Sequence, residues 1–211
     1  MHMFSFLNPQ HLIHSLSPCL LCESGVREKD SLCKDCWEQL PWLKQIIQRN
    51  DQSVLVACDY AYPINRIIQQ FKYEQKLHYQ ILLGEILQQL KFHKVQAIVP
   101  MPISNQRLIE RGFNQSLLLA NILSKQLKIP VWQPVQRLAE HSQKGLSRLE
   151  RFENIEQQFI VFTQEKRRYR RVLIIDDVVT TGSSIYALSQ VLKQLGCTTI
   201  HAACLAATLT S

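Results

Sequence analysis

From residue 53 onward the sequence predicts an α/β fold with a mostly parallel sheet, and three observations carry that expectation. Apolar runs of strand length alternate with segments whose apolar residues recur at helical spacing. The clearest run, Val172-Leu-Ile-Ile175, is apolar throughout. It leads through Asp176-Asp177 and a Thr/Gly/Ser turn into another helical pattern, the alternation that builds parallel sheets.

Each element has its own signal. Ser53-Val-Leu-Val-Ala-Cys58 is a strand candidate. Pro63 opens a helix on which Ile64, Ile67, Ile68 and Phe71 share a face. A second helix runs through Ile81, Leu82, Ile86, Leu87 and Leu90. Ala97-Ile98-Val99 is a short buried strand stopped by Pro100 and Pro102, and a long amphipathic helix follows on Leu119, Ile122, Leu123 and Leu127. Val131 to Val135 is a candidate short strand, residues 137 to 154 are polar and basic, and Phe159-Ile-Val-Phe162 reads as a strand. The run Lys166 to Arg171 is a solvated connection into Val172. A helix on Ile185, Leu188, Leu192 and Leu195 precedes a last strand, Thr198 to Leu205. The organisation expected is a small module over residues 1–50 and an α/β domain over 51–211, with no internal repeat.

Composition narrows the class. The 211-residue chain is 46% hydrophobic, enough for a packed core, which excludes a disordered basic tail. Twenty-four Lys and Arg against seventeen Asp and Glu leave it at +7. That balance favours anionic partners such as phosphates or nucleic acid, and it also fits many plain soluble proteins. No window approaches the roughly 20 apolar residues of a spanning helix, so stable membrane insertion is not expected. The N-terminal residues lack the basic start of a signal peptide and are interrupted by Asn8, Pro9, Gln10, His11 and His14. A cytoplasmic location is expected, where thiols stay reduced and the seven cysteines become a matter of metal or packing.

Cys58, Cys197 and Cys204 sit in apolar runs and read as small core residues. Cys19, Cys22, Cys33 and Cys36 form C-x2-C-x10-C-x2-C, the spacing of a zinc ribbon or knuckle. Two thiolates three positions apart in a tight turn can face one ion, and a second pair completes a tetrahedral S4 site. With no ligand position left open, one zinc per chain would be structural, stabilising residues too poor in apolar mass to fold unaided. Trp37 and Trp42 either stack on bases or pack the module onto its neighbour; packing is the preferred reading.

The segment Val172 to Ser184 has the layout of a phosphate site. Its strand delivers the chain to the carboxyl edge of the sheet, where open α/β folds bind ligands. Thr180, Thr181, Gly182, Ser183 and Ser184 supply hydroxyls and unpaired N–H groups at a helix N-terminus, a nest for a monophosphate. No G-x4-G-K-[ST] loop occurs. Asp176 and Asp177 beside such a cradle suit a phosphorylated ribose, whose vicinal hydroxyls donate to carboxylates. The competing reading is an ordinary helix cap after two solvated aspartates.

Asp176-Asp177-Val-Val-Thr-Thr-Gly182 resembles the phosphoribosyl-pyrophosphate loop of type I phosphoribosyltransferases. The whole chain, from about residue 19 to 205, resembles the ComF family of competence-associated, phosphoribosyltransferase-like proteins. That match runs through the cysteines, Pro63-Ile-Asn-Arg66, Phe71-Lys-Tyr73, Val99-Pro-Met-Pro102, Arg107-x3-Arg-Gly-Phe-Asn-Gln115, Gln143-x2-Leu-Ser147 and Arg151-x2-Asn154. The resemblance implies a type I phosphoribosyltransferase fold that binds phosphoribosyl pyrophosphate with Mg²⁺. The 5′-phosphate would lie on Thr180 to Ser184 and the ribose hydroxyls on Asp176 and Asp177, directly or through Mg²⁺. The diphosphate would lie against Val99 to Ile103, including Pro100 and Met101, with Mg²⁺ held mainly by ligand oxygens. Arg107 and Arg111, four apart on a helical face, would pair with the diphosphate or form a solvated basic face. Lys72 and Tyr73 would close over the site.

Two functions compete. One is a ComF-type protein that binds phosphoribosyl pyrophosphate and serves natural transformation, with incoming single-stranded DNA and competence-machinery proteins as candidate partners. The other is an active phosphoribosyltransferase on an unidentified nucleobase or nucleotide-like acceptor, unconnected with DNA. A protein-interaction adaptor explains the acidic loop poorly. Residues 137–171 hold over half of the net positive charge, a candidate phosphate-backbone track.

Overall fold

In a computed structural model, residues 17–27, 31–138, 158–162 and 164–209 are described. Gln143 to Ser147 and Arg151 to Asn154, with the middle of the basic track, lie outside them.

The described residues open with Cys-rich turns and a short helix α1, Lys34–Glu38, then form β1, Trp42–Arg49, and β2, Gln52–Asp59. These two strands make a hairpin. Asn50 and Asp51, both at positive φ, close it in the two-residue manner that suits the strand twist. There follow α2, Ile64–Tyr73; α3, Tyr79–Leu87; β3, Ala97–Pro100; α4, Asn105–Arg111; and α5, Gln115–Leu127. The rest are β4, Val135–Arg137; β5, Phe159–Val161; β6, Arg171–Val179; α6, Ser183–Gln194; and β7, Thr199–Ala207.

Five strands form one sheet in the order β1-β2-β7-β6-β3, and β4 pairs with β5 in a separate ribbon. Only β1 is antiparallel to its neighbour in the main sheet. Because β1 spans Trp42–Arg49, the sheet reaches back across residue 50. The mostly parallel α/β architecture is as the sequence predicts.

Two cores lie on the two faces, and β6 sorts its side chains between them with period two. Leu173 and Ile175 join Ile67, Phe71, Leu82, Ile86, Leu119 and Leu123 on one side. Val172 and Ile174 join Val54, Trp132, Leu188 and Leu192 on the other. Helix α2 buries the four residues predicted for its face, Ile64, Ile67, Ile68 and Phe71. In α3 the face differs: Leu83 is buried and Ile81 is 52% exposed. Gly84 explains the tilt. A Cβ there would stand 2.8 Å from two carbons of Ile122, so α3 and α5 touch at this glycine.

Strand β6 also runs further than its apolar tetrapeptide. Val178 and Val179 pair with Ala206 and Ala207 of β7, so the two aspartates lie within the strand. Val131 makes a single bridge to Ile98, and the regular strand starts only at Val135. Cys58, Cys197 and Cys204 are buried, as expected. Among the described residues no helix is long and apolar enough to cross a membrane.

Candidate functional site

The carboxyl ends of β3 and β6 build a cavity of about 320 Å³. Past Pro100 the chain still runs beside β6, where the Met101 N–H donates to the Ile175 carbonyl at 2.8 Å. Ser104 then caps α4 by accepting from the Arg107 N–H at 3.3 Å, and Gly112, at φ 79°, ends that helix. This short helix brings both Arg107 and Arg111 to the cavity. Asn114 braces the corner: its Nδ2 donates to the Met101 carbonyl at 3.1 Å, and its Oδ1 caps α5.

Asp176 and Asp177 form the floor. Asp176 Oδ1 accepts from Ser116 Oγ and from the Asp177 N–H, both at 2.9 Å. Asp177 Oδ2 lies 2.7 Å from Lys72 Nζ, which reaches across from α2. Burial, reinforced by the neighbouring Asp177 carboxylate and opposed by Lys72, pushes Asp176 up to about 7. For Lys72, burial works against the ammonium, but the carboxylates of Asp177 and Asp176 outweigh it and raise its pKa. One carboxylate is therefore held by an ion pair, and its neighbour titrates close to neutrality.

Arg111 leans on Tyr73, 5.1 Å from the ring centroid, and donates to Gln115 Oε1 at 3.3 Å. Arg137 enters from β4, with Nη2 3.3 Å from Ser184 Oγ. Lys72, Arg107, Arg111 and Arg137 thus face two carboxylates across one small cavity. Such a field suits a ligand with several anionic groups and a hydrogen-bond-donating diol. A larger cavity of about 480 Å³ adjoins it beyond Pro102 and Ile103, lined by apolar and amide side chains and no charged one.

Most residues singled out in the sequence converge here: Asp176, Asp177, Lys72, Met101, Arg107, Arg111 and Ser184 all line the smaller cavity. Pro100 lines the larger one. Thr180, Thr181, Gly182 and Ser183 form the adjoining turn. Thr180 and Thr181 are exposed there, and Thr181 Oγ1 lies 3.0 Å from Ser183 Oγ. The N-cap of α6 is Gly182, which has no side chain to cap with, and Thr181 Oγ1 accepts from the Ser183 N–H at 3.4 Å. Sequence reasoning missed Ser116 and Arg137 as site residues. Ser116 directly follows the Arg-Gly-Phe-Asn-Gln run, a usable signal. Arg137 reaches the site through the pairing of its segment with Ser104, which no local pattern reveals.

The four cysteines form a second centre. Their sulfurs lie within 4.8 Å of one another and could hold a metal ion. The Cys22 and Cys33 sulfurs are 3.8 Å apart. Gly25 packs against the second knuckle so closely that a Cβ would stand 2.7 Å from Cys33 Cβ. Without a cation the thiols divide: hydrogen bonds around Ser24 and Gly25 lower Cys22 to about 6, while burial and neighbouring thiols raise Cys36 strongly. A divalent cation would draw all four into the thiolate form, and an all-sulfur donor set fits zinc. Cys19, Leu32, Cys33 and Leu40 belong to the core beside α2, with Trp37 and Trp42 packed against it. The two indoles lie 5.1 Å apart, and Trp42 Nε1 donates to the Trp37 carbonyl. Both indoles thus pack the cysteine turns onto the neighbouring core, the reading preferred from the sequence.

An acidic pair on β6, followed by a hydroxyl-rich turn into the next helix of a mostly parallel sheet, belongs to the type I phosphoribosyltransferase fold. The family described as phosphoribosyl transferase domain matches residues 114–211. Over nearly the full length, the chain is 31% identical to Competence protein F of Haemophilus influenzae, across 89% of this chain and 83% of that one. It is likewise 31% identical to DNA utilization protein YhgH of Escherichia coli K12, across 90% of each. Competence protein ComFC of Bacillus subtilis is 30% identical over 47% of this chain and 39% of its own. The chain belongs to the ComF family.

Proposed function

We propose that the cavity on β3 and β6 binds phosphoribosyl pyrophosphate with Mg²⁺, and that the protein uses this site in natural transformation while handling incoming single-stranded DNA in the cytoplasm. The observation that carries the ligand assignment is the pairing of Asp176 and Asp177 with four surrounding cations in one small cavity. A nucleoside triphosphate would find no Walker loop, whereas a phosphorylated ribose diphosphate matches both signs of charge.

Each residue has a role in that reading. The turn from Thr180 to Ser184 receives the 5′-phosphate at the N-terminus of α6. Asp176 and Asp177 accept from the ribose hydroxyls. Arg107 and Arg111, with Met101 and Pro100 behind them, receive the diphosphate, and Arg137 approaches from the β4 side. Lys72 is released from Asp177 as the ligand enters and turns its ammonium toward ligand phosphate. Magnesium, when bound, neutralises diphosphate charge and keeps most of its water. If transfer occurs, the C1′–O bond to diphosphate breaks, and the arginines stabilise the leaving charge.

Residues 1–50 serve as the zinc-binding segment and 51–211 as the phosphoribosyltransferase-like domain, joined through β1. The names of the relatives, Competence protein F and DNA utilization protein, support the DNA context and competence-machinery proteins as partners. The described basic residues Lys166, Arg167, Arg168, Arg170 and Arg171 are exposed and supply a phosphate-backbone track. They lie at the opposite end of β6 from the aspartates, so DNA and the small ligand occupy separate surfaces.

Calorimetric titration of phosphoribosyl pyrophosphate with Mg²⁺ tests the site. The parent binds, and Asp176→Asn/Asp177→Asn weakens binding by about tenfold or more, from the loss of two charged acceptors. Absent binding, or unchanged binding in the double variant, overturns the assignment. Single-stranded DNA affinity falls as salt rises; a salt-independent or absent interaction removes the DNA role. Release of diphosphate from the bound ligand with a nucleobase present would favour the transferase reading.

A further inference from the structure

Arg49, the last residue of β1, makes contacts that no sequence motif announces. Its Nε donates to the Thr180 carbonyl, its Nη1 to the Gln48 carbonyl and its Nη2 to the Thr208 carbonyl, each at 3.0 Å. One planar guanidinium therefore joins the β1–β2 hairpin, the turn after the aspartates and the chain leaving β7. A fork of fixed geometry imposes direction on each carbonyl, which a flexible ammonium cannot do.

Gly182 lies against the same residue. A Cβ at 182 would stand 2.7 Å from Arg49 Cβ and 2.9 Å from the Arg49 carbonyl oxygen. Gly182 also has φ +80°, so the glycine is required twice, by its backbone and by the approach of Arg49. The hairpin thus packs on the residue that caps α6 and holds the carbonyl two positions earlier. In a trans peptide the C=O and the following N–H point in opposite directions. Anchoring the Thr180 carbonyl on Arg49 turns the Thr181 N–H away from the guanidinium, free to serve an anion on the turn.

We propose that Arg49 is a positioning residue for the 5′-phosphate turn: it orients Thr180 to Gly182 through their backbone and touches no ligand itself. The proposal rests on the reading of that turn as a 5′-phosphate site. It also gives the N-terminal hairpin a role in ligand binding, since the strand that follows the cysteine module ends on the phosphate turn.

The test separates the two halves of the ligand. Ribose 5-phosphate and inorganic pyrophosphate are titrated separately into the full chain, into Arg49→Gln and into Arg49→Lys. We expect both variants to bind ribose 5-phosphate about tenfold more weakly, with pyrophosphate affinity kept within about twofold. Arg49→Lys retains the charge, so parent-like binding in that variant would reduce Arg49 to a charge effect and overturn positioning. Equal loss of both ligands would make Arg49 a general structural residue and overturn it as well. If melting shows that Arg49→Gln does not fold, Arg49→Lys decides alone. A parent that binds pyrophosphate but not ribose 5-phosphate overturns the assignment of the turn, and the role of Arg49 with it.

Discussion

Replacing Asp176 by asparagine should make the ligand-free protein more stable while weakening its site. Burial and Asp177 move the Asp176 carboxyl from 3.8 to about 7, roughly three units at about 1.4 kcal/mol each. The ceiling is therefore about 4 kcal/mol, and because Asp176 keeps part of its surface in water, about 2 kcal/mol is the working figure. The unfolded chain loses this proton near pH 4 and the folded chain near pH 7. Between those values the folded state binds the extra proton, so stability falls as pH rises through the window. Asparagine is neutral at every pH and retains an oxygen for Ser116 Oγ and the Asp177 N–H. Calorimetry at pH 8 should show Asp176→Asn melting about 4–8 °C above the parent, from about 2 kcal/mol in a chain of this size. The gap should close toward pH 4. A variant that melts at or below the parent at pH 8, or a gap that ignores pH, would refute the reasoning.

Three further perturbations probe other parts of the molecule. Lys72→Met leaves Asp177 without its cation in a setting where the two side chains are only 17% and 10% exposed. It should cost about 2–4 kcal/mol in urea unfolding, with partial recovery in Lys72→Met/Asp177→Asn; an unchanged midpoint would show the pair to be idle. Gly84→Ala drives a methyl into Cδ1 and Cγ2 of Ile122 and should cost about 1–3 kcal/mol, relieved when Ile122 is shortened to alanine. Purified protein should carry one equivalent of zinc, and Cys33→Ser or Cys36→Ser should abolish it and lower the melting temperature, because the cysteine turns pack into the core. A native chain free of metal would refute that assignment.

The readable parts of the sequence were those whose physics is local. Helix α2 could be drawn from Ile64, Ile67, Ile68 and Phe71 because a 3.6-residue period is written in the chain itself. The cysteine spacing and the Asp-Asp-Val-Val-Thr-Thr-Gly run are equally local, and both led to real clusters. What escaped notice depends on distant partners. The extension of β6 through Val179 needs Ala206 and Ala207 opposite it. The burial of Leu83 in place of Ile81 needs Ile122 to meet Gly84. Arg137 and Arg49 carry no motif; each is brought to the site by strand pairing, and only the folded chain makes them neighbours of Ser184 and Thr180.

The strand order carries a lesson about how this protein is made. Strand β7, the last of the main-sheet strands in chain order, sits in the middle, between β2 and β6. Val54 finds its partner in Ala202, and Ile174 finds the same residue from the other side. A nascent chain that has reached α6 holds two half-sheets, β1-β2 and β6-β3, with facing open edges and no way to join. Both apolar cores also stay incomplete until Ala202 to Ala207 arrive, so most of the long-range strand pairing waits for β7. Contacts so distant along the chain form slowly, and the open strand edges would be exposed to other chains meanwhile. The cavity between Asp176 and the arginines, which rests on β6, acquires its support only when β7 slides into the gap.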